Sequence, residues 1–184
     1  INVCLQVISS RILDGSVLSI LYSFASFGCS TNLLGKSTTL IRLHKALSSP
    51  LISGNSLHAK NSFASITKLM TAVVASQTLS PETTLSITPE DFPKDKSADS
   101  QYLKPGESYR VSDIIQIMLI ASDNVAAEVV ARAYGRDEFL SKMNEQARLW
   151  GMSHTYYNDP SGLSPVNQSS IEDLEKLAFQ LVKN

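Results

Sequence analysis

Seven of the eight residues in "IIQIMLIA" (114–121) are apolar, and the polar triplet Ser122-Asp123-Asn124 follows at once. A helix that is apolar on nearly all sides has to be surrounded by other elements, so this run predicts a buried helix with Ser112-Asp113 as its cap. The chain must therefore supply partners to enclose it. Residues 65–79 read as a helix stopped near Ser80-Pro81, 124–134 as a helix ending at Gly135, and 137–150 as one ending at Gly151. Ser170, with Asp173 three residues on, opens a last helix in a capping-box-like pattern. "PLISGNSLHAKN" (50–61) reads as a hairpin turning at Gly54-Asn55, "TTLSITPED" (83–91) as a short strand, and 92–109 as a surface loop. A helical cluster beside a few strands is an α+β pattern.

Composition narrows the function classes. A chain of 184 residues, 43% hydrophobic and 18% charged, is of a size and make-up for one globular domain with a real core. Its formal net charge of −1 offers no basic footprint for a nucleic acid. Cys4 and Cys29 form no C-x-x-C pair, so neither a disulfide framework nor a thiolate metal site is indicated. His44, His58 and His154 stand isolated in the sequence, and each reads as an ordinary surface or satisfied side chain. No metal site is predicted.

Residues 1–45 differ in character from the rest and form a separate N-terminal segment of uncertain role. The apolar, serine-rich "SVLSILYSFASFGC" (16–29) is too short for a membrane-crossing helix of about 20 residues. Its length suits a secretory h-region, although Asp14 offsets Arg11 in the flank; an ordinary buried segment reads the same way. "LLGKSTT" (33–39) is not a phosphate loop, because Ser30 stands where the loop needs its first glycine.

Chemistry enters with "ASITKLMTAVVA" (64–75). Ser65 and Lys68 are an i, i+3 pair, so on a helix they share one face. That spacing suits a serine nucleophile beside an amine base, at a helix start where free amides favour developing negative charge. A neutral Lys68 would need a pKa well below the free value of about 10.4, which requires desolvation or nearby positive charge. Ser122 could relay a proton to a leaving group, and Asn124 could hold a substrate amide with a donor and an acceptor. The same residues are equally read as a capping serine, a snorkelling lysine and a cap on the next helix. No G-x-S-x-G elbow or H-E-x-x-H motif offers another hydrolase design.

"ASITKLMTA" (64–72), "IMLIASDNVAAE" (117–128), "MNEQARLWGMSHTYYNDPSGLS" (143–164) and "SIEDLEKLA" (170–178) closely resemble the D-alanyl-D-alanine carboxypeptidase and endopeptidase family, the low-molecular-mass penicillin-binding proteins. The likeness covers about residues 50–184 in the family's order, and "GLSPVNQSS" (162–170) leans toward its endopeptidase branch. It implies a β-lactamase/transpeptidase-like fold, a helical cluster against an antiparallel sheet. By the same likeness Ser65 is the acyl-ester nucleophile, Lys68 its proton acceptor, and Ser122 and Asn124 the second motif, with Asn124 on the substrate. The resemblance further implies a peptidoglycan stem peptide as substrate, β-lactam antibiotics as ligands, and no cofactor or metal. The implied location is the periplasm or the extracytoplasmic face of a bacterial membrane, and a peripheral membrane association is compatible with it.

Three departures accompany the likeness. The family's Lys-Thr-Gly strand motif is missing, since "GKST" (35–38) precedes Ser65; residues 46–184 are therefore expected to form an incomplete penicillin-binding domain lacking its C-terminal strands. The link from Lys60-Asn61 to Ala64 is shorter than usual, and residues 1–45 match no part of the pattern. Two rival readings are a class A-like β-lactamase and a non-catalytic homologue that binds cell-wall peptide. The region around "YYNDPSGL" (156–163) lacks the deacylating glutamate of the first.

Overall fold

A computed structural model of the chain describes residues 58–93 and 99–183. Segment 1–45 and the Gly54-Asn55 turn lie outside the described residues. Among the described residues the α-helices are α1 (Thr67–Thr78), α2 (Val111–Ile120), α3 (Asn124–Tyr134), α4 (Arg136–Leu149) and α5 (Ile171–Lys183). Strands β1 (Thr84–Ser86) and β2 (Ser108–Arg110) pair antiparallel between α1 and α2, with Leu85 opposite Tyr109. The expected strand is thus shorter than 83–91, and the end of the expected surface loop supplies its partner.

Local chemistry explains the boundaries. A 3-10 turn over Ala64–Ile66 leads into α1, which ends where Leu79 turns extended ahead of Ser80-Pro81. Asp123 caps α3 by accepting a hydrogen bond from the Ala126 amide at 2.9 Å. Gly135, at φ 103°, breaks the helix, and α4 restarts on the next residue with Asp137 and Glu138 in its first turn. At α5, Ser170 Oγ accepts from the Asp173 amide at 3.3 Å, which is half of the expected capping box. The Asp173 carboxylate is spent elsewhere, accepting from the His154 amide at 2.7 Å and from Thr155 Oγ1 at 2.9 Å.

α1 packs on α2, α3 and α4, and the core between them holds Met70, Val74, Ile114, Met118, Val129 and Met143. α2 departs from expectation in two ways. It begins at Val111, so Ser112 and Asp113 sit in its first turn, and Asp113 accepts from Arg110 Nε at 3.0 Å instead of capping. Only Val111, Ile114 and Met118 are buried, while Ile115, Ile117, Leu119 and Ile120 stay partly exposed. Its described helical neighbours are α1 and α3, and two neighbours bury a stripe rather than a circumference.

Two histidines that are remote in sequence become neighbours. Asn61 bridges Ser169 through both backbone amides, which brings the His58 ring to 5.4 Å from that of His154. The reading of these two side chains as isolated is therefore overturned, because a backbone pairing across more than a hundred residues left no local signature.

One ion pair ties the strand region to the helical layer. Arg132, on α3, donates to the almost fully buried Asp91 carboxylate through Nε at 2.5 Å and Nη2 at 3.0 Å, and to the Ser86 carbonyl at 2.7 Å. Arg132→Met leaves that carboxylate buried with only its Thr88 donors. Stability measured by urea unfolding should fall by about 2 kcal/mol, below the 3–5 kcal/mol of a fully buried pair because the guanidinium reaches solvent. Arg136→Met, which breaks the more exposed pair with Glu128, should cost under about 1 kcal/mol in the same assay.

Candidate active site

The α1 segment places Ser65 in the 3-10 turn and Lys68 in the first turn of the helix. Lys68 does not snorkel: its side chain is 0% exposed, inside the core. Three acceptors from three parts of the chain surround its Nζ. They are Ser65 Oγ at 3.2 Å, Asn124 Oδ1 at 2.8 Å and the Ser161 carbonyl at 2.7 Å. The structure thus brings Ser65, Lys68 and Asn124 together around one amine. Ser122 lies beside them in sequence, half-buried between α2 and α3, but it is not a partner of Lys68.

Burial lowers the Lys68 pKa to about 8, against the opposing pull of the Asp159 and Asp123 carboxylates. The balance follows from geometry. Asp123 is engaged as the α3 cap and by Ser100 Oγ at 2.5 Å, so its charge is partly neutralised by local donors. Asp159 accepts from the Ser161 amide at 2.7 Å, the Ser161 hydroxyl at 3.1 Å and the amides of Gly162 and Ser164. A neutral amine has two N–H donors and one lone pair. With the donors given to Asn124 and Ser161, the lone pair is left for the Ser65 hydroxyl.

The loop that supplies the Ser161 carbonyl is clamped to α1 by residues with no evident chemical role in the sequence. Asn167, fully buried, donates to Thr67 Oγ1 and to the Asp159 carbonyl, both at 3.0 Å, and accepts from the amides of Asn158 and Asp159. Thr71 Oγ1 donates to the Pro160 carbonyl at 2.6 Å. Gly162, at φ 88°, passes so close to Ala64 that a Cβ there would lie 2.0 Å from the Ala64 carbonyl oxygen. "NDPSG" (158–162) has the residues of a turn. That the turn seats on α1 is not legible in them.

Backbone strain marks the same place. Among the described residues, the two non-glycine residues at positive φ are Ala64 (45°), next to Ser65, and Ser122 (56°). Such positions cost about 1–3 kcal/mol each and persist only where the surroundings impose them. Here a 3-10 turn packed on Gly162 imposes one, and the tight passage from α2 to the Asp123 cap imposes the other.

The Lys68 environment has a measurable pH signature. Its folded pKa lies below its unfolded value, so between the two the unfolded chain holds the proton that the folded chain has lost, and raising pH favours folding. Relative to Lys68→Met, the native stability should rise between pH about 8 and about 10.5, by on the order of 3 kcal/mol in total. Urea unfolding of both proteins across that range checks it; parallel curves would place the amine in a water-like environment.

Residues 41–184 match the family model of D-alanyl-D-alanine carboxypeptidase. The chain is 41% identical over 127 residues to a D-alanyl-D-alanine endopeptidase of Haemophilus influenzae, covering 66% of this chain and 43% of that protein. It is 29% identical over 163 residues to a D-alanyl-D-alanine carboxypeptidase of Bacillus subtilis, covering 81% of this chain and 42% of the relative. The fold is similar to penicillin-binding protein D2 of Listeria monocytogenes, solved in a cefotaxime-bound form, with a TM-score of 0.62 and 29% identity over 70% of this chain and 55% of that one. The chain spans less than half the length of the two curated relatives. A family match over most of the sequence, joined to a serine–lysine–asparagine cluster around a buried amine on the matched segment, is sufficient: the chain belongs to the D-alanyl-D-alanine carboxypeptidase family.

Proposed function

We propose that the protein is a serine-type D-alanyl-D-alanine peptidase, a carboxypeptidase or endopeptidase acting on peptidoglycan stem peptides. The observation that carries the reading is the placement of Lys68 Nζ: buried, 3.2 Å from Ser65 Oγ, and with acceptors for its two other donors. Neutral Lys68 takes the proton of Ser65 as Oγ adds to the carbonyl carbon of the scissile D-alanyl bond. The C–N bond then breaks, and the proton passes to the departing amine. Between addition and C–N cleavage Lys68 is an ammonium with three N–H groups, two held by Asn124 and Ser161, and Ser122, at the α2–α3 turn, is the proposed carrier of the third proton to the leaving group. Asn124 holds the Lys68 amine through Oδ1 and offers its amide N–H to the substrate. Water then cleaves the ester by the same base.

β-Lactams fit the scheme because ring opening by Ser65 gives the same type of acyl ester. Such an enzyme works where peptidoglycan lies, in the periplasm or on the extracytoplasmic face of a bacterial membrane. Among the described residues no helix is long and apolar enough to cross a membrane.

Labelling with a fluorescent penicillin, followed by peptide mapping, tests the scheme. The label should be stable and located at Ser65. Ser65→Ala should abolish it. Lys68→Arg keeps the charge but cannot act as a base, and should slow acylation by about 10²–10⁴-fold, the usual worth of a positioned general base. In the native chain the acylation rate should rise with pH and level off above about 8, as Lys68 becomes neutral. Rapid loss of the label would instead indicate a β-lactamase, and no labelling a binding homologue.

A further inference from the structure

Three donor side chains meet on the surface where the chain enters the described fold. His58 precedes the segment leading to Ser65, His154 lies in the loop after α4, and Glu172 stands in the first turn of α5. One ligand atom from each lies within 4.8 Å of the others. Zinc takes imidazole nitrogen and carboxylate oxygen at about 2.0–2.2 Å, which sets its ligand atoms roughly 3.3–3.5 Å apart in a tetrahedron. The side chain of His58 is 70% exposed and can turn to adjust its separations from the other two.

The other two ligands are already braced. The His154 amide is held at 2.7 Å by the fully buried Asp173 carboxylate, and Ser153 Oγ lies 3.3 Å from its Nδ1, the kind of outer contact that orients a metal-binding imidazole. Lys176 anchors Glu172 through Oε1 at 3.0 Å, which turns Oε2 toward His58. That Oε2 is shielded from solvent and lacks an aligned hydrogen bond, although His58 Nδ1 is only 2.7 Å away. A proton shared along a poor angle satisfies it badly. A cation would replace that contact once the two atoms part from 2.7 Å to the roughly 3.3 Å that zinc requires, a movement open to the exposed His58 ring.

We propose that His58, His154 and Glu172 bind a divalent cation of the zinc class, which staples the entry segment to the His154 loop and to α5. Two imidazoles and a single carboxylate suit zinc, and suit the oxygen-seeking Mg2+ and Ca2+ poorly. The staple acts beside the Asn61–Ser169 bridge, so its effect is on the folded stability of the segment that leads to Ser65. It takes no part in the reaction.

The test uses the full chain with Cys4 and Cys29 replaced by serine, so that thiols do not compete. Calorimetric titration with Zn2+ alone should give one bound ion per chain. His58→Ala, His154→Ala and Glu172→Gln should each weaken binding by tenfold or more. Free Zn2+ at a hundredfold excess over Kd should raise Tm by about 5 °C or more, with no rise from Mg2+ at the same concentration. His58→Ala carries the decision, since removing a mostly exposed side chain does not threaten the fold. Absence of stoichiometric binding, or binding that survives His58→Ala, overturns the proposal. Penicillin labelling at Ser65 reports separately on the catalytic reading.

Discussion

A charged amine placed inside a helical core is the constraint on which the rest of this structure turns. Lys68 sits where neighbouring helices would ordinarily bury a leucine, and an unpaired ammonium there would be prohibitive. Its three acceptors come from the 3-10 turn, from the first residue of α3 and from the loop after α4. Each of those segments must therefore arrive at one point. α2 and α3 meet at a single short turn because Asn124 has to reach the amine from the start of a helix.

The loop over residues 158–168 serves the same end by indirect means. Its carbonyl at Ser161 is aimed by Asp159, which gathers three backbone amides, and by Asn167, which joins the loop to Thr67. These are buried polar groups with full hydrogen bonding, so they rigidify rather than weaken the core. Asp159 also leaves a negative charge near Lys68, and that charge limits how far burial can depress the amine's pKa. The fold thus holds the amine in a range where both protonation states are accessible.

Much of this was legible in residues. Helical periodicity with Gly135 and Gly151 as stops located α3 and α4 to within a residue, because local capping and φ preference decide such boundaries. The Ser65–Lys68 pair was visible from one-turn spacing, whereas its environment was not. Whether the lysine snorkels or is buried depends on the loop at 158–168, about a hundred residues away. The burial of α2 was overestimated for a related reason: composition tells how apolar a surface is, not how many neighbours reach it. β2 escaped notice because three residues cannot display a period. The meeting of His58 with His154 depends on one backbone bridge, for which no side-chain pattern exists.

The two left-handed residues differ as points of leverage for an engineer. A glycine at 64 would relax the backbone and leave every functional group of the cluster in place, so heat tolerance could be gained there at the expense of rigidity around Ser65. A glycine at 122 relaxes a comparable strain but deletes a hydroxyl beside the cluster. Selection for thermal endurance alone would favour both replacements equally. Selection for turnover as well would separate them, and the pattern of survivors would report which of the two distortions belongs to the chemistry and which to the architecture that delivers it.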